Sequence, residues 1–364
     1  MPPELRHGHP AGLGATAVRE SVALHGRDRL HYRIANPWQQ PLGRIEAFLR
    51  PIELDPQSYV LVHGARLLSA APVGLDRRLG IVSETHHLQE LSRRRRARLQ
   101  LRALLPPRER LAGAVCCLVD GRRWQSSYYH WFLDCLPRLL AAADHEQRCG
   151  EAVRLLLPAS LSRWQEHSLQ LLGIEPGRHL AQRPVGGGGI AVDRLIGYVA
   201  HRWQRLGNAP FDAASPWAIG RLADQLSRAV AATGSALPRR LYLSRRGVAT
   251  RQVANEAELL ALLEPHGFVA VQCERLSLSE QIALFRGASH LVAPHGASLT
   301  NLIHAREARV LELFQEDHGV RPDFFQLAMI RGLDYRHAVS AVCAESGHSL
   351  VNLGQVSDFL AQTL

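Results

Sequence analysis

The chain has 364 residues, which is too long for one ordinary domain and suits two. Its apolar content of 46% and charged content of 21% indicate a well-packed globular protein and exclude disorder as its main state. The formal net charge is +10, yet the chain contains no lysine, so Schiff-base chemistry and a P-loop lysine are both excluded.

Apolar runs and cysteines bear on the cellular location. No apolar run reaches the roughly 18 residues that a membrane-spanning helix needs, and residues 1–20 lack the apolar stretch of a secretory signal. The six cysteines show no C-x-x-C pair and no metal-type spacing, which is typical of small buried hydrophobes in a reducing compartment. We therefore expect a cytoplasmic protein, and peripheral contact with the inner face of the cytoplasmic membrane stays an open alternative.

Residues 1–110 are punctuated by prolines and contain short alternating apolar runs, for example at 44–49 and 59–62, which are typical of strands and turns. We predict a β-rich extension there, packed on the first domain. Near its end, a helical stretch at 91–104 carries four consecutive arginines, Arg93 to Arg96.

This arginine run is typical of a solvated helix face. The functional alternative is a patch that contacts anionic lipid headgroups or a charged acceptor. The sequence has no basic motif interleaved with aromatic side chains, so we do not expect a nucleic-acid partner.

Residues 111–234 are predicted to form a first α/β domain. Continuous apolar runs indicate strands buried on both faces, and longer amphipathic stretches indicate helices. The strands are predicted at 112–119, 154–157 and 195–200, and the helices at 128–143, 161–172 and 216–232. Four consecutive glycines at 186–189 predict a flexible turn. Thr233, Gly234 and Ser235 end the last helix, and we predict the domain boundary there.

Residues 235–364 alternate between strands and helices. The strands are predicted at 241–243, 268–271, 290–293, 309–313 and 335–339, and the helices at 255–266, 279–287, 298–304 and 322–331. Such alternation predicts a parallel, doubly wound sheet with right-handed crossovers. Because ligands of open sheets of this kind bind at the carboxyl ends of the strands, the candidate site is expected there.

Three strands of this last domain end in or carry polar residues. They are Arg245, Arg246 and Arg251 after the first strand, His295 and Gly296 after the third, and Glu312 in the fourth. The backbone N–H groups of a helix that opens at Gly296 would bind an anion. Arginine forks would hold phosphate oxygens, and Glu312 would accept hydrogen bonds from ribose hydroxyls. Each feature alone is common in turns and loops, but together they predict a nucleoside-diphosphate site.

A second group of polar residues lies on the helix predicted at 128–143. His130 and Asp134 are four residues apart and share a helix face, so they could hold a base for a hydroxyl nucleophile. The alternative is a capped helix whose aromatic side chains build the core and whose His130 and Asp134 bond to backbone. Pro137 predicts a kink or an early stop in this helix.

Motifs from both groups follow one another in a fixed order between residues 128 and 339. They are His130, Trp131, Asp134, Leu136, Pro137 and Arg138; Leu241, Tyr242, Leu243, Ser244, Arg245 and Arg246; Asn255 and Glu256; Glu274, Leu276, Ser277, Glu280 and Gln281; Pro294, His295, Gly296, Ala297, Leu299, Thr300 and Asn301; and Val310, Leu311, Glu312 and Leu313. In order and spacing, this set resembles glycosyltransferase family 61, in particular members of the bacterial capsular or exopolysaccharide type. Residues 1–110 contribute nothing to the resemblance.

The resemblance implies a GT-B architecture, with two facing Rossmann-like domains at residues 111–234 and 235–364 and a cleft between them. It also implies an inverting transfer of a sugar from a nucleotide-sugar donor to a hydroxyl of a glycan or glycolipid acceptor, without an essential metal or other cofactor. Such an enzyme would take part in capsule, exopolysaccharide or lipopolysaccharide synthesis. Ala297 and Asn301 join the donor site on this basis, and Asp134 is expected to act as the base or to orient it, with His130 beside it.

Two places depart from the pattern of this family. Ser298 stands where a second glycine is usual, and residues 305–308 replace a Pro-Gly turn before the strand of Glu312. Both lie near the predicted phosphate site. A catalytically silent subunit that binds nucleotide sugars or acts as a scaffold in a polysaccharide-assembly complex therefore stays as the alternative.

Overall fold

The structure is a computed structural model that describes residues 18–68, 73–85, 91–119, 127–181, 186–206, 209–231, 237–248 and 250–364. The strands are β1 (Arg19–His25), β2 (Asp28–Leu30), β3 (Ile52–Leu54), β4 (Gln57–Leu68), β5 (Val73–Leu75), β6 (Ile81–Val82), β7 (Glu109–Cys117), β8 (Arg154–Leu157), β9 (His179–Ala181), β10 (Ile190–Gly197), β11 (His201–Leu206), β12 (Ala209–Ala214), β13 (Arg240–Leu243), β14 (Phe268–Val271), β15 (His290–Pro294), β16 (Arg309–Gln315), β17 (Asp334–Val342) and β18 (Ser349–Leu350). The α-helices are α1 (Arg93–Ala103), α2 (Tyr128–His130), α3 (Arg138–Cys149), α4 (Arg163–Leu171), α5 (Pro216–Ala229), α6 (Glu256–Leu263), α7 (Leu278–Gly287), α8 (Asp323–Ile330) and α9 (Leu353–Thr363).

The first sheet is mixed and has the order β6-β5-β4-β10-β7-β8-β9, with β1 also paired to β4. Strands β10, β7, β8 and β9 run parallel, while β4 is antiparallel to β10. The strands predicted at 112–119, 154–157 and 195–200 are confirmed as β7, β8 and β10. Their continuous apolar runs are buried, as a strand covered on both faces requires.

The second sheet has the order β14-β13-β15-β16-β17-β18, and all of its strands except β18 are parallel. Alternate side chains of its strands belong to two separate apolar clusters. Leu241 and Leu291 pack with residues of α5 and α7, whereas Tyr242 and Val292 pack with residues of α6 and α9. Helices therefore cover both faces, and the prediction of a parallel, doubly wound sheet is confirmed.

The first 110 residues contribute to both halves of the fold. Strand β4 lies inside the first sheet, between β10 and β5, so this part of the predicted extension builds the sheet and does not only pack on it. Residues 36–44 reach the second sheet instead. There, Nε2 of His337 lies 2.9 Å from the carbonyl oxygen of Pro41, and the side chain of Gln40 accepts from the N–H of Val339 at 3.0 Å.

One predicted strand is a helix in the structure. Residues 44–49 were expected to extend, but Gly43–Phe48 forms a 3-10 helix that Gly43 enters at a φ of +51°. Ile45 and Phe48 are its buried residues, and a spacing of three brings them to one face of a 3-10 helix. The boundary predicted at Gly234 lies outside the described residues.

The helix predicted at 128–143 has an irregular start. After α2, residues Trp131–Cys135 form a π-helical turn, in which the N–H of Leu136 donates to the carbonyl of Trp131 at 2.8 Å. Pro137 has no N–H to continue an α-helical ladder, and α3 begins directly after it. The predicted kink at Pro137 is therefore present as a π turn, a feature that is frequent at functional sites.

None of the helices in the described ranges combines the length and the apolar character that a bilayer crossing demands.

Candidate active site

The strand order of the second sheet identifies the point at which a ligand should bind. From β13 the chain first continues to β14 on one side and later returns to β15 on the other side of β13. Helices leave the two strands in opposite directions at such a switch point, which opens a crevice at their carboxyl ends. The residues that follow these ends are Ser244 and Arg245 after β13, and His295 and Gly296 after β15. The turn at His295 and Gly296, which we call the phosphate turn, therefore lies at the topological switch point.

Arg245 and Gly296 lie against each other in this crevice. A Cβ atom at Gly296 would clash with Nη1 of Arg245, so a larger residue here would displace the guanidinium. Gly296 has an extended backbone, with a φ of 179°, so close approach rather than backbone strain explains the glycine. Nε and Nη2 of Arg245 donate to the carbonyl of Thr250 at 3.3 and 3.0 Å, which orients the side chain.

A second guanidinium, that of Arg251, shares this region. Burial and the charge of Arg251 together lower the pKa of Arg245 to about 10, so Arg245 stays a cation at neutral pH. Burial, followed by the charge of Arg321, also lowers the pKa of Arg251. Arg251 has a φ of +57° and, within the described part of the chain, no hydrogen-bonding or ion-pair partner. Arg245 and Arg251 are therefore two half-buried cations that lie close together, and an anion would bind favourably beside them.

Arg246, the third predicted phosphate ligand, is engaged elsewhere. Its Nε donates to Glu256 at 3.0 Å, although its side chain is 67% exposed. Glu256 also accepts from the hydroxyls of Tyr242 at 3.0 Å and Ser244 at 2.6 Å. A phosphate at the switch point would have to compete with this carboxylate for Arg246, so Arg245 and Arg251 are the better placed pair.

Glu312 and His295 form a buried pair beside the phosphate turn. Nδ1 of His295 lies 2.5 Å from one carboxylate oxygen of Glu312, and the hydroxyl of Tyr335 donates to the other at 2.5 Å. Glu312 is completely buried. Burial and the charge of Glu312 raise the pKa of Tyr335, which keeps its phenol protonated as a donor.

These contacts argue against the predicted role of Glu312. Glu312 has no exposed surface, and His295 and Tyr335 already contact its two oxygens, so ribose hydroxyls could reach it only if these side chains moved. The arrangement instead orients His295, whose Nε2 is the ring nitrogen left for a ligand. The ring of His295 packs against those of Phe314, at a centroid distance of 5.0 Å, and Phe324, at 5.1 Å.

Replacing Tyr335 by phenylalanine should lower the free energy of unfolding by about 1–3 kcal/mol, because it leaves one oxygen of a buried carboxylate without a donor. Chemical denaturation of the two proteins measures this difference. Tyr242→Phe is the matched control, because Glu256 keeps its bonds from Ser244 and Arg246 when the hydroxyl is lost. An equal loss in both variants would contradict the role given to Tyr335.

Asn301 and Ala297 have different positions in the 3-10 helix Ala297–His304. The amide nitrogen of Asn301 donates to Gln281 at 2.8 Å, and its oxygen accepts from the hydroxyl of Tyr128 at 2.8 Å. Asn301 is buried and so links α2 to α7 rather than facing the crevice. Ala297 is exposed at the first position of the helix, next to Gly296, where its N–H can face an anion.

His130 and Asp134 are hydrogen-bonded to each other across the π turn. Nδ1 of His130 lies 2.6 Å from a carboxylate oxygen of Asp134. The side chain of Asp134 is 9% exposed and that of His130 is 33% exposed, so the imidazole is the more accessible member of the pair. The prediction that these two residues share a face is confirmed.

Two aromatic rings connect this pair to the buried pair at the phosphate turn. The ring of Tyr129 lies 5.2 Å from that of His130 and 5.7 Å from that of Phe324, and Phe324 in turn contacts His295. Edge contacts of this kind stabilise the ring positions. The two groups of residues that the sequence predicted separately are therefore close in space.

A cavity of about 730 Å³ lies beside the phosphate turn, between α4 and the loop that follows β14. It is lined by Tyr128, Arg163, Trp164, His167, Cys273, Glu274, Arg275, Leu276, Ser277, Leu278, Gln281, Ala297 and Ser298. Glu274 is exposed in this cavity and close enough to Arg245 to affect its pKa. Sequence reasoning did not assign Glu274 to the site, although its position just beyond a strand end was a usable signal.

No cluster of three or more histidine, cysteine, aspartate or glutamate side chains with the arrangement of a metal site occurs in the part of the chain that the structure describes.

Comparison with known proteins gives two matches. The sequence model of the family Glycosyltransferase 61 matches residues 128–311, just over half of the chain. Over 100 residues, the chain is also 43% identical to the EGF domain-specific O-linked N-acetylglucosamine transferase of Drosophila melanogaster. That alignment covers 26% of this chain and 18% of the fly protein, so the chain spans less than a fifth of the length of this relative.

Proposed function

We propose a transfer reaction for this chain, which belongs to the glycosyltransferase 61 family. In this reaction the chain moves a sugar from a nucleoside-diphosphate donor to a hydroxyl of a glycan or glycolipid acceptor. The observation that carries the proposal is the crevice at the switch point between β13 and β15. There, Arg245, Arg251 and the N-terminus of the 3-10 helix at Gly296 meet beside a cavity large enough for a nucleoside.

The donor diphosphate would bind at this crevice. Arg245 and Arg251 would donate to its oxygens, and Arg251, which forms no ion pair with the described residues, would gain a contacting anion. The N–H of Ala297 would add a neutral donor, and Nε2 of His295 would donate from an imidazolium whose Nδ1–H is held by Glu312. As the diphosphate leaves, the negative charge that develops on it would be stabilised by these oriented groups. Metal independence is part of this proposal, because two guanidiniums supply the positive charge.

The nucleoside would occupy the adjacent cavity. Tyr128 and Trp164 offer aromatic surface for a base, and Glu274 offers a carboxylate for ribose hydroxyls. An acidic residue just beyond a strand end commonly binds ribose in nucleotide-binding α/β folds. Glu274 is exposed, unlike Glu312, so ribose hydroxyls can reach its carboxylate.

The acceptor would approach from the side of His130 and Asp134, within a GT-B arrangement of two facing domains. Transfer would be a single displacement that inverts the anomeric carbon. The acceptor oxygen forms the new bond to that carbon, the bond from the carbon to the diphosphate oxygen breaks, and the electron pair leaves with the diphosphate. The acceptor proton passes to the His130–Asp134 pair, whose accessible member is the imidazole.

The acceptor that we propose belongs to capsule, exopolysaccharide or lipopolysaccharide synthesis. The fly relative, an O-linked N-acetylglucosamine transferase specific for EGF domains, adds two specific options: N-acetylglucosamine as the sugar moved and a hydroxyl of a protein as the acceptor. A nucleotide-linked N-acetylglucosamine is therefore the first donor to test.

A thermal-shift screen of nucleotide sugars against the purified chain tests the proposal. A bound donor should raise the melting temperature, and the rise should grow with the logarithm of the donor concentration above its Kd, because the donor binds only the folded state. Hydrolysis or transfer of that donor should then be measurable. Binding without either reaction would support the alternative of a silent subunit, and no stabilisation by any nucleotide sugar would overturn donor binding.

Replacing Glu274 by glutamine should weaken donor affinity by a factor of about 10, because a charged acceptor for ribose hydroxyls is lost. Titration calorimetry with the nucleoside diphosphate measures the effect. Glu258→Gln, an exposed change on α6 outside the cavity, is the matched control and should leave the affinity unchanged. Equal affinities in the Glu274 variant and the unaltered chain would exclude Glu274 from the ribose site.

A further inference from the structure

We propose that the exposed side of α1 and the turn after it form a membrane-contact surface that binds anionic lipid headgroups. This surface comprises the exposed residues of the segment 93–108. It lies outside the crevice of the second sheet, so the inference does not depend on the proposed transfer reaction.

The charge of this segment is entirely positive. Residues 93–108 include seven arginines and no acidic residue. Arg94 and Arg98 are exposed and, four residues apart, share one face of α1, with Leu101 next along that face. Among the described residues, neither of these two arginines has an ion-pair partner. A solvated helix face usually mixes both signs of charge, whereas this one has a single sign.

Exposed leucines continue the same face. Leu101 is 67% exposed, Leu104 68% and Leu105 49%. Only three further large apolar side chains in the described residues are comparably exposed, and they belong to other elements, at Val269, Leu350 and Leu364. Leucines exposed beside arginines are typical of helices that lie in the interface of an anionic membrane.

The opposite face of α1 packs against the first sheet, so the exposed leucines do not belong to the protein core. Leu99 and Ala103 pack in a small apolar cluster with Leu68, Val73 and Leu75 of the first sheet. Because this contact sets the rotation of the helix, the arginines and leucines have to face outward.

The glycine run at 186–189 contacts the turn after α1, which carries the exposed Leu104 and Leu105, and stabilises it. The N–H of Gly188 donates to the carbonyl of Pro106 at 3.2 Å, and the N–H of Arg108 donates to the carbonyl of Gly189 at 2.9 Å. A Cβ atom at Gly188 would clash with the carbonyl of Leu105, so glycine is needed for this close approach. The exposed leucines thus sit on a supported turn, and their exposure does not result from a loose chain end.

A bilayer fits this surface better than a nucleic acid does. Phosphate contacts would use the arginines but would leave the leucines in water, and the segment has no aromatic side chain to stack on bases. Anionic headgroups would take the arginines while the leucines enter the boundary between headgroups and acyl chains. Both sets of exposed side chains then have partners.

Flotation of the whole chain with lipid vesicles tests the proposal. We expect binding to vesicles that contain phosphatidylglycerol and little binding to vesicles of phosphatidylcholine alone. The double variant Arg94→Gln, Arg98→Gln should weaken this binding about thirtyfold, and Leu101→Ser, Leu104→Ser by roughly tenfold or more. Unaltered melting temperatures would show that both variants are folded.

Two control variants and two further ligands decide the outcome. Arg221→Gln, Arg228→Gln removes two exposed arginines from α5, and Leu350→Ser removes an exposed leucine elsewhere, so neither should change vesicle binding. Equal losses in these controls, or equal binding to both kinds of vesicle, would overturn the proposal. The proposal would also be overturned by a combination of two results. The first is that heparin or duplex DNA binds at the same arginines, and the second is that the leucine substitutions leave vesicle binding unchanged.

Discussion

Replacing Asp134 by asparagine should lower the rate of sugar transfer by a factor of about 10² to 10⁴, the usual contribution of a general base, while donor affinity stays unchanged. The carboxylate of Asp134 lies 2.6 Å from Nδ1 of His130 and is largely buried. An amide in its place could neither stabilise the imidazolium that forms on proton transfer nor hold the imidazole in one defined tautomer. Steady-state kinetics together with calorimetry of donor binding separate the two effects.

Asp144→Asn is the matched control for this substitution. Asp144 lies on α3, where its side chain is 22% exposed and pairs with Arg148 at 2.6 Å. Asparagine keeps an oxygen acceptor at this position, away from the candidate site, so the substitution should affect neither binding nor turnover. Near-normal turnover of the Asp134 variant would show that the base lies elsewhere. The pair formed by His295 and Glu312 would then be the next one to test, since it has the same imidazole–carboxylate arrangement.

Replacing Arg245 by methionine should weaken binding of the nucleoside diphosphate by a factor of about 10 to 100, the range expected when a charged hydrogen bond to an anion is lost. Arg245 is confined between the carbonyl of Thr250 and the backbone of Gly296. Gly296→Ala should act in the same direction, because its added Cβ would displace the guanidinium. Calorimetric titration of both variants with the nucleoside diphosphate measures the effect.

The adjacent arginine provides a sharp control. Arg246→Met removes the same charge one residue away, but Arg246 is paired with Glu256 and should contribute much less to donor binding. If the two substitutions weakened binding equally, the effect would come from net charge near the crevice and not from a specific contact of Arg245. Full affinity in the Arg245 variant would remove this residue from the phosphate site.

The order of strands and helices in the second half could be predicted from local sequence. Short continuous apolar runs such as 290–293 and 309–313 alternate with amphipathic stretches, and β15 and β16 lie where these runs are. The reason is that a strand covered on both faces must be apolar throughout, which is a local property of the sequence. The shared face of His130 and Asp134 was predictable for the same reason, since a spacing of four residues decides it.

Partners that are distant in the chain could not be predicted in this way. The carboxylate of Glu312 was predicted to bind ribose, and nothing near it in the sequence indicates that Tyr335 and His295 would occupy both of its oxygens. The contrast between Arg245 and Arg246 also arises from the fold, because Glu256 on α6 reaches only one of them. Neighbouring residues of identical type thus acquire different partners.

The sequence by itself determined which residue types stand at the carboxyl ends of the strands, because hydrophobic periodicity and chain order are local. The tertiary structure decided that β13 and β15 are neighbours and that Gly296 lies against Arg245. It also decided that the rings of Tyr129 and Phe324 connect His130 to His295. It also decided that the leucines at the end of α1 stay exposed. The physical reason is that pairing, close approach and burial depend on packing between segments far apart in the chain, which no local pattern encodes.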